Sequence, residues 1–335
     1  RDRQCTILGS DYTYGIDLVQ EFKKAGPEYL PQSRVWQAED NGTVCFSQGD
    51  ASRKLKADYI MLSTGAMERP VPFPGWTLPG VMTCGGASNL FKDSSLYPTE
   101  PVVIAGSGPL LWLVAEHLFA LKAPIAAILD TTPYSHYLTS MKQMPKALLR
   151  AGYLMKGVGM IAAVQLAAIK NKVPMYRNVK NIRAEGEDKL QRVKATCRGK
   201  QLEFEATTLL VHEGTIPNVA LLRQAGCEHT WDPVQRYWYP QVNVEGRTNL
   251  PNILVAGDGT FVHGAISAEL KGRIAGLSIA REMQRISNNE YAEFVEPVKK
   301  QLKHELLPRP YIDALYAPRK DLFTMEDDTA VSYTH

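Results

Sequence analysis

Apolar and polar positions divide the chain into alternating helix-like and strand-like stretches. Leu18, Val19 and Phe22 fall on one side of residues 17–24, a helical spacing that Pro27 ends. Residues 35–38 and 43–47 read as short strands around the turn Asp40-Asn41-Gly42. Asn41-Gly42-Thr43 also spells a glycosylation sequon, but the turn accounts for it. Residues 58–63 have the pattern of a buried strand. Pro70, Pro72 and Pro74 follow and exclude a helix or a central strand, so the chain leaves as an extended connection. An apolar strand at 102–105, a glycine turn and a striped helix over 110–121 lead to a second strand at 125–129 that stops on Asp130, a β-turn-α-β unit. Residues 140–170 read as helical and apolar. Residues 178–211 read as antiparallel strands, the last being 208–211. A strand at 253–256 precedes Gly257-Asp258-Gly259, and a helix is expected from near Gly264 to about Arg285. Ala265, Ala268, Gly272, Ala275 and Gly276 suit close packing along it. Residues 308–318 are punctuated by prolines and read as a linker.

Composition narrows the class. A chain of 335 residues suggests two domains, three at most. A hydrophobic share of 44% with 22% charged residues is that of a folded protein and excludes disorder as the main architecture. A net charge of +3 argues against a nucleic-acid groove or an anionic membrane surface. The five cysteines contain no CxxC, which excludes a zinc ribbon and a redox pair close in sequence. Their sparse, odd number fits reduced thiols in a cytoplasm. The longest apolar run, 158–169, is too short to span a bilayer, so no transmembrane segment is expected. There is no signal-peptide pattern. The first residues, Arg1-Asp2-Arg3, include no starting Met, so the chain is read as a fragment or a processed piece.

Two places carry candidate chemistry. Gly106-Ser107-Gly108, between a strand and a helix, opens a dinucleotide fingerprint, since glycines there let the backbone approach a pyrophosphate at a helix N-terminus. Leu111 stands where a third glycine would fall. Asp130 ends the next strand, where a carboxylate accepts hydrogen bonds from a ribose diol. No Arg stands beside it in sequence, which argues against a 2′-phosphate. The alternative is a purely structural βα turn. The second place is 248–258, where a strand ending in Ala256-Gly257-Asp258 presents an aspartate to a flavin's ribityl chain and the following helix aims its positive end at the cofactor. The alternative is an aspartate capping an ordinary loop. His263 stands just before that helix and reads equally as a flavin or substrate contact and as a loop cap.

In this order the segments resemble the pyridine nucleotide-disulfide oxidoreductase fold, an α/β class with two Rossmann-like dinucleotide-binding domains in which an inserted nucleotide-binding domain splits the FAD domain. The residues that carry the resemblance are Ser63-Thr64-Gly65-Ala66, Gly106-Ser107-Gly108, residues 211–218 around His212-Glu213-Gly214, and Ala256-Gly257-Asp258. Residues 65–76, Gly108-Pro109-Leu110-Leu111-Trp112, and His263-Gly264-Ala265 with Glu269-Leu270-Lys271-Gly272 are similar to the FAD-bearing subunits of opine oxidase, hydrogen cyanide synthase and dye-linked proline dehydrogenases. In that subgroup a leucine at 111 is expected.

The resemblance implies a first FAD segment at 1–97, an inserted domain at 98–225, a second FAD segment at 226–290, and a C-terminal helix and linker at 291–335. It implies Thr64, Gly65, Ala66, Gly257, Asp258, Gly264, Ala265 and Ile266 for FAD, and Gly106, Gly108 and Asp130 for an NAD or adenine nucleotide. It places a first FAD fingerprint upstream of residue 1. It also places a C-terminal cysteine module for a [2Fe-2S] centre beyond Cys227, and no cysteine follows that residue in this sequence. The implied activity is flavin-dependent oxidation of the C–N bond of a small amine or amino acid, with electrons passed to a partner or acceptor, or relayed from a partner subunit that oxidises the substrate. The expected partner is a second flavoprotein subunit, the expected compartment the cytoplasm, and neither a metal site nor a catalytic base is named. Without a thiol pair, disulfide reduction is excluded. An inactive fragment and a non-catalytic nucleotide-binding subunit are the alternatives.

Overall fold

The computed structural model describes residue 7 and residues 10–323. Helix α1 (Ser10–Lys24) leads into an antiparallel meander of β1 (Ser33–Ala38), β2 (Thr43–Gln48) and β3 (Ala51–Lys56). The hairpin turns where expected, with Asn41 accepting from the Thr43 amide at 2.8 Å. Strand β3 had no sequence signal, because Arg53, Lys54 and Lys56 lie on a fully exposed strand. Short strands β4 (Ile60–Leu62), β5 (Ala66–Glu68) and β6 (Val81–Thr83) follow, then α2 (Cys84–Ser94), which the Thr83 hydroxyl caps through the Gly86 amide.

The next unit is β7 (Val102–Ser107), α3 (Pro109–Ala120) and β8 (Ile125–Asp130). Three helical pieces, α4 (Tyr134–Ser140), α5 (Met144–Ala147) and α6 (Ala151–Lys170), are joined by single 3-10 turns and run to β9 (Met175–Arg177). This stretch is far longer than the apolar run read from sequence. By length and composition it could cross a membrane, but Val164 and Ala168 of α6 are buried in the fold. A second meander, β10 (Lys180–Glu185), β11 (Arg192–Cys197) and β12 (Lys200–Glu205), comes before β13 (Thr208–Glu213).

Strands β6, β13, β7, β8 and β9 form one parallel sheet in that order. Strand β13 therefore does not extend the antiparallel run, as its sequence suggested. It crosses back and inserts between β6 and β7. Its Leu209 and Leu210 are both fully buried, one on each face, which a meander edge strand would not require. Along β7 the side chains alternate: Val102 and Ile104 face α2, α3 and α6, while Val103 and Ala105 face the β10–β12 meander. Leu111, where the third glycine would fall, is fully buried on the helix side. The sheet's edge strand comes from residues 81–83, ahead of residue 98.

The chain returns through β14 (Thr215–Pro217), α7 (Ala220–Ala225), and the hairpin β15 (His229–Asp232) and β16 (Tyr237–Pro240) to β17 (Ile253–Val255). Strand β17 pairs parallel with β4, and the core beneath them is Ile60, Leu62, Leu222, Ile253 and Val255. Helix α8 (Ala265–Glu282) packs on α9 (Asn288–Glu305), which a Ser287/Glu290 capping box starts. The proline-punctuated segment is not a bare linker: α10 (Arg309–Leu315) forms there, with Pro310 in its first turn, where the missing N–H costs nothing.

Candidate functional site

Thr64–Ala66 and Ala256–Asp258 meet. Their strands pair, the Ala256 amide donates to the Leu62 carbonyl at 3.1 Å, and a Cβ on Gly259 would lie 3.2 Å from the Thr64 hydroxyl. Beyond the strand ends, Ala66 pairs with Pro217 in the antiparallel ladder of β5 and β14. The Thr64 hydroxyl donates to the Asn218 carbonyl, and the Asn218 amide donates to the Gly65 carbonyl. The strands that enter and leave the inserted unit therefore run side by side at this site. Gly65 has φ +66 and open space where a side chain would stand, and so does Gly264 at φ +95.

Asp258 is half-buried. Its Oδ1 accepts the His263 amide at 2.9 Å and the Gly264 amide at 3.1 Å, which holds the loop into α8. The Gly264 amide is thus already engaged, while Ala265 and Ile266 stand exposed at a helix start that carries no side-chain cap. Lys271, one turn further on, was quoted from sequence only as part of a motif. Its Nζ donates to the Thr260 hydroxyl at 2.7 Å and to the Phe261 carbonyl at 3.0 Å. Burial pushes this ammonium down to about 8, with Asp258 opposing and Arg309 assisting. The His263 ring stacks on Phe261 at 4.9 Å, and its Nδ1 is buried without a partner. Burial, then Lys271 and Arg309, press its pKa down to about 2, so the ring is neutral and its side chain caps nothing.

The second sequence candidate has the opposite character. Gly106 has φ +136, and a Cβ there would lie 1.9 Å from the His212 carbonyl oxygen of β13. Asp130 is 2% exposed, and its Oδ1 accepts the Thr132 amide at 2.9 Å. Burial raises its pKa, and the Thr132 hydrogen bonds and then Arg177 oppose the rise. Arg177 stands opposite Asp130 in the sheet register, so the absence of an Arg in sequence does not argue against a 2′-phosphate.

Around the strand ends the polar groups are paired with one another. The Thr131 hydroxyl donates to Glu213 at 2.8 Å, across the end of β7, and Ser107 and Thr132 share a hydrogen bond of 2.9 Å. Arg319 enters from the C-terminal segment, donating to the Val179 carbonyl at 3.0 Å and reaching Glu213 at 3.6 Å. Tyr316 stands half-buried beside Tyr137 and Asp130; burial first, then these neighbours, raise its phenol. Burial also raises Glu213, and Arg319 opposes this.

Glu68 and His212 were residues of the quoted motifs without roles. They form a buried pair at 2.7 Å, and the other Glu68 oxygen accepts the Gly85 amide at the start of α2. Arg69 donates to the carbonyls of Glu213, Gln235 and Arg236. The pair and the arginine fasten the crossing strand to both units. A sequence shows neither contact, since the partners lie more than a hundred residues apart. Cys45, Cys84, Cys197 and Cys227 are buried free thiols, and Cys5 lies outside the described residues. Among the described residues no group of side chains is arranged to hold a metal.

Residues 6–288 match the pyridine nucleotide-disulphide oxidoreductase family. The chain is 34% identical to the A subunit of opine oxidase from Rhizobium meliloti, over 99% of this chain and 64% of that protein. It is 30% identical to hydrogen cyanide synthase subunit HcnB of Pseudomonas aeruginosa, over 85% of this chain and 62% of that protein. The chain thus spans less than two thirds of the length of these relatives. In fold it resembles L-proline dehydrogenase from P. horikoshii, with a TM-score of 0.57 and 18% identity over 81% of this chain and 43% of that one.

Proposed function

From the premise that the chain belongs to the pyridine nucleotide-disulphide oxidoreductase family, we propose that the whole protein is a cytoplasmic FAD-bearing oxidase subunit. It oxidises the C–N bond of an amino acid or opine-like amine and passes electrons to a partner subunit. The names of the relatives support the substrate class and the subunit status. The observation that carries the reading is the meeting of Thr64–Ala66 with the Asp258 loop.

The residues present fit the flavin end of FAD. Gly257, at φ +73, leaves its Ala268 neighbour at contact distance, and Gly65 and Gly264 leave open space on either side of the loop. Asp258 has a second carboxylate oxygen for a ribityl hydroxyl. The amides of Ala265 and Ile266 bring the positive end of α8 to the same place. Bound FAD supplies a two-electron acceptor for the substrate's hydride. Lys271 fixes the loop through Thr260 and Phe261, so the amides are preset and no reorganisation is needed on binding. His263, neutral and stacked on Phe261, forms a wall and takes up no second ring proton at neutral pH. The full-length protein should bind FAD and show flavin absorbance, and Asp258→Ala should lose most of it. A colourless protein indifferent to FAD sinks the reading.

A second reading keeps an NAD or adenine nucleotide at Gly106–Asp130, in a non-catalytic subunit. The positive-φ turn into the uncapped start of α3 favours it. Such a ligand would meet Tyr316, which stands beside Asp130. Thermal shifts with FAD, NAD and ATP separate the two readings, because only a ligand of the folded state raises the melting temperature.

A further inference from the structure

Helix α6 packs on α3 at one flank of the parallel sheet, while α4 and α5 pack against α10, and large side chains along the stretch still stand bare. Leu138 is 76% exposed, Leu149 67%, Met155 66%, Leu166 68% and Ile169 75%. The inner face of α6 is fastened to the core through Val164 and Ala168. The outer one presents Met155, Gly159, Ala162, Leu166 and Ile169, a spacing of four and three residues that a second helix meets as knobs into holes. A Cβ on Gly159 would touch nothing within 4 Å, so a groove stays open beside the large side chains. Charge adds an independent constraint. From Tyr134 to Lys170 there is not one Asp or Glu, and there are five Lys and Arg, of which Arg150 already pairs with Glu305.

We propose that this face docks the partner subunit, through an apolar helix of that subunit flanked by carboxylates. The inference rests on the reading of the chain as one subunit of an oxidase. A second copy fits poorly, since α6 carries two lysines and no carboxylate, so two copies of it offer each other no ion pair across the contact. A lipid surface also fits poorly. Small residues at 152, 157, 159, 162 and 163 bury little area in lipid, and the 3-10 turns before Met144 and Ala151 interrupt the helix.

The test uses the full-length chain co-expressed and purified with the second subunit of its own oxidase. Leu166→Glu and Ile169→Glu alter only exposed positions, so bound flavin and melting temperature should stay unchanged. Affinity for the second subunit should fall about a hundredfold, the cost of placing a charge in a desolvated apolar contact. Lys170→Glu should slow association and flatten its dependence on salt. The proposal is overturned if both Glu variants bind the second subunit with the affinity of the parent. It is also overturned if these substitutions instead abolish flotation with phosphatidylglycerol vesicles, or abolish a homodimer seen by sedimentation. If the chain binds no second subunit and turns over amine alone, the subunit reading itself fails, a result distinct from unchanged binding by the variants.

Discussion

Two glycine turns at two strand ends, one followed by Gly106-x-Gly108 and one by Gly257-Asp258, look alike in sequence and stand in opposite states. At the first, glycine is demanded by protein: the His212 carbonyl occupies the place of a side chain at 106, Thr131 is bonded to Glu213, and Thr132 is bonded to both Ser107 and Asp130, all five of them buried. At the second, Gly65 and Gly264 face open space, and the helix start beyond Asp258 is exposed. A glycine with an acid at a strand end therefore marks a βα junction in both places. What separates the two junctions is whether the rest of the described chain leaves them uncovered.

The sharpest way to break this contrast is Gly106→Ala against Gly264→Ala. The first forces a backbone shift between β7 and β13 and should prevent folding or cost more than about 4 kcal/mol by urea unfolding. The second strains only φ and should cost about 1–2 kcal/mol. Equal losses would remove the distinction.

Ranked next is Lys271. Its ammonium is held at about 8 in the folded chain, below the ordinary lysine value, so the unfolded chain binds the proton more tightly. Stability must therefore rise as pH climbs from about 8 toward 10.5, by up to about 3 kcal/mol, and the penalty is complete below 8. Lys271→Met should abolish that slope. If the variant shows the same slope, the open loop is not held as described.

Asp258→Ala removes the acceptor of two loop amides and, on the proposed reading, of a ribityl hydroxyl. Flavin fluorescence titration should show affinity weakened about 10- to 100-fold. Asp130→Ala should leave FAD affinity unchanged, and a matching loss there would merge the two regions.

The smallest effect tests the cover on the closed junction. Arg319→Ala leaves Glu213 buried without its cation and should lower stability by about 1–3 kcal/mol, with faster proteolysis after residue 315. NAD should shift the melting temperature of this variant more than that of the parent. No difference would mean that the segment does not govern access.

The strands, turns and acids that position both junctions were legible because each is local: β7-turn-α3-β8 and β17 with its Asp258 loop fall within about thirty residues each. The covering was not legible. Arg319 reaches Glu213 from the far end of the chain, Glu68 pairs with His212, and Arg177 faces Asp130 only through sheet register. The same holds for β13, whose parallel placement depends on a crossover and not on its own alternation, and for exposed β3. The proline segment misled because Pro in a first helical turn looks like a breaker when its neighbours are unknown.

The ladder of Ala66–Glu68 with Thr215–Pro217 has a consequence of another kind. Because the two connections to the parallel-sheet unit run side by side, a short loop could close the gap if that unit were cut out, and the cost would fall on the C-terminal segment, whose α10 and Arg319 would lose their seat. Glu68 and Arg69 sit at that seam, tying the incoming connection to β13 and to the loop of the β15–β16 hairpin.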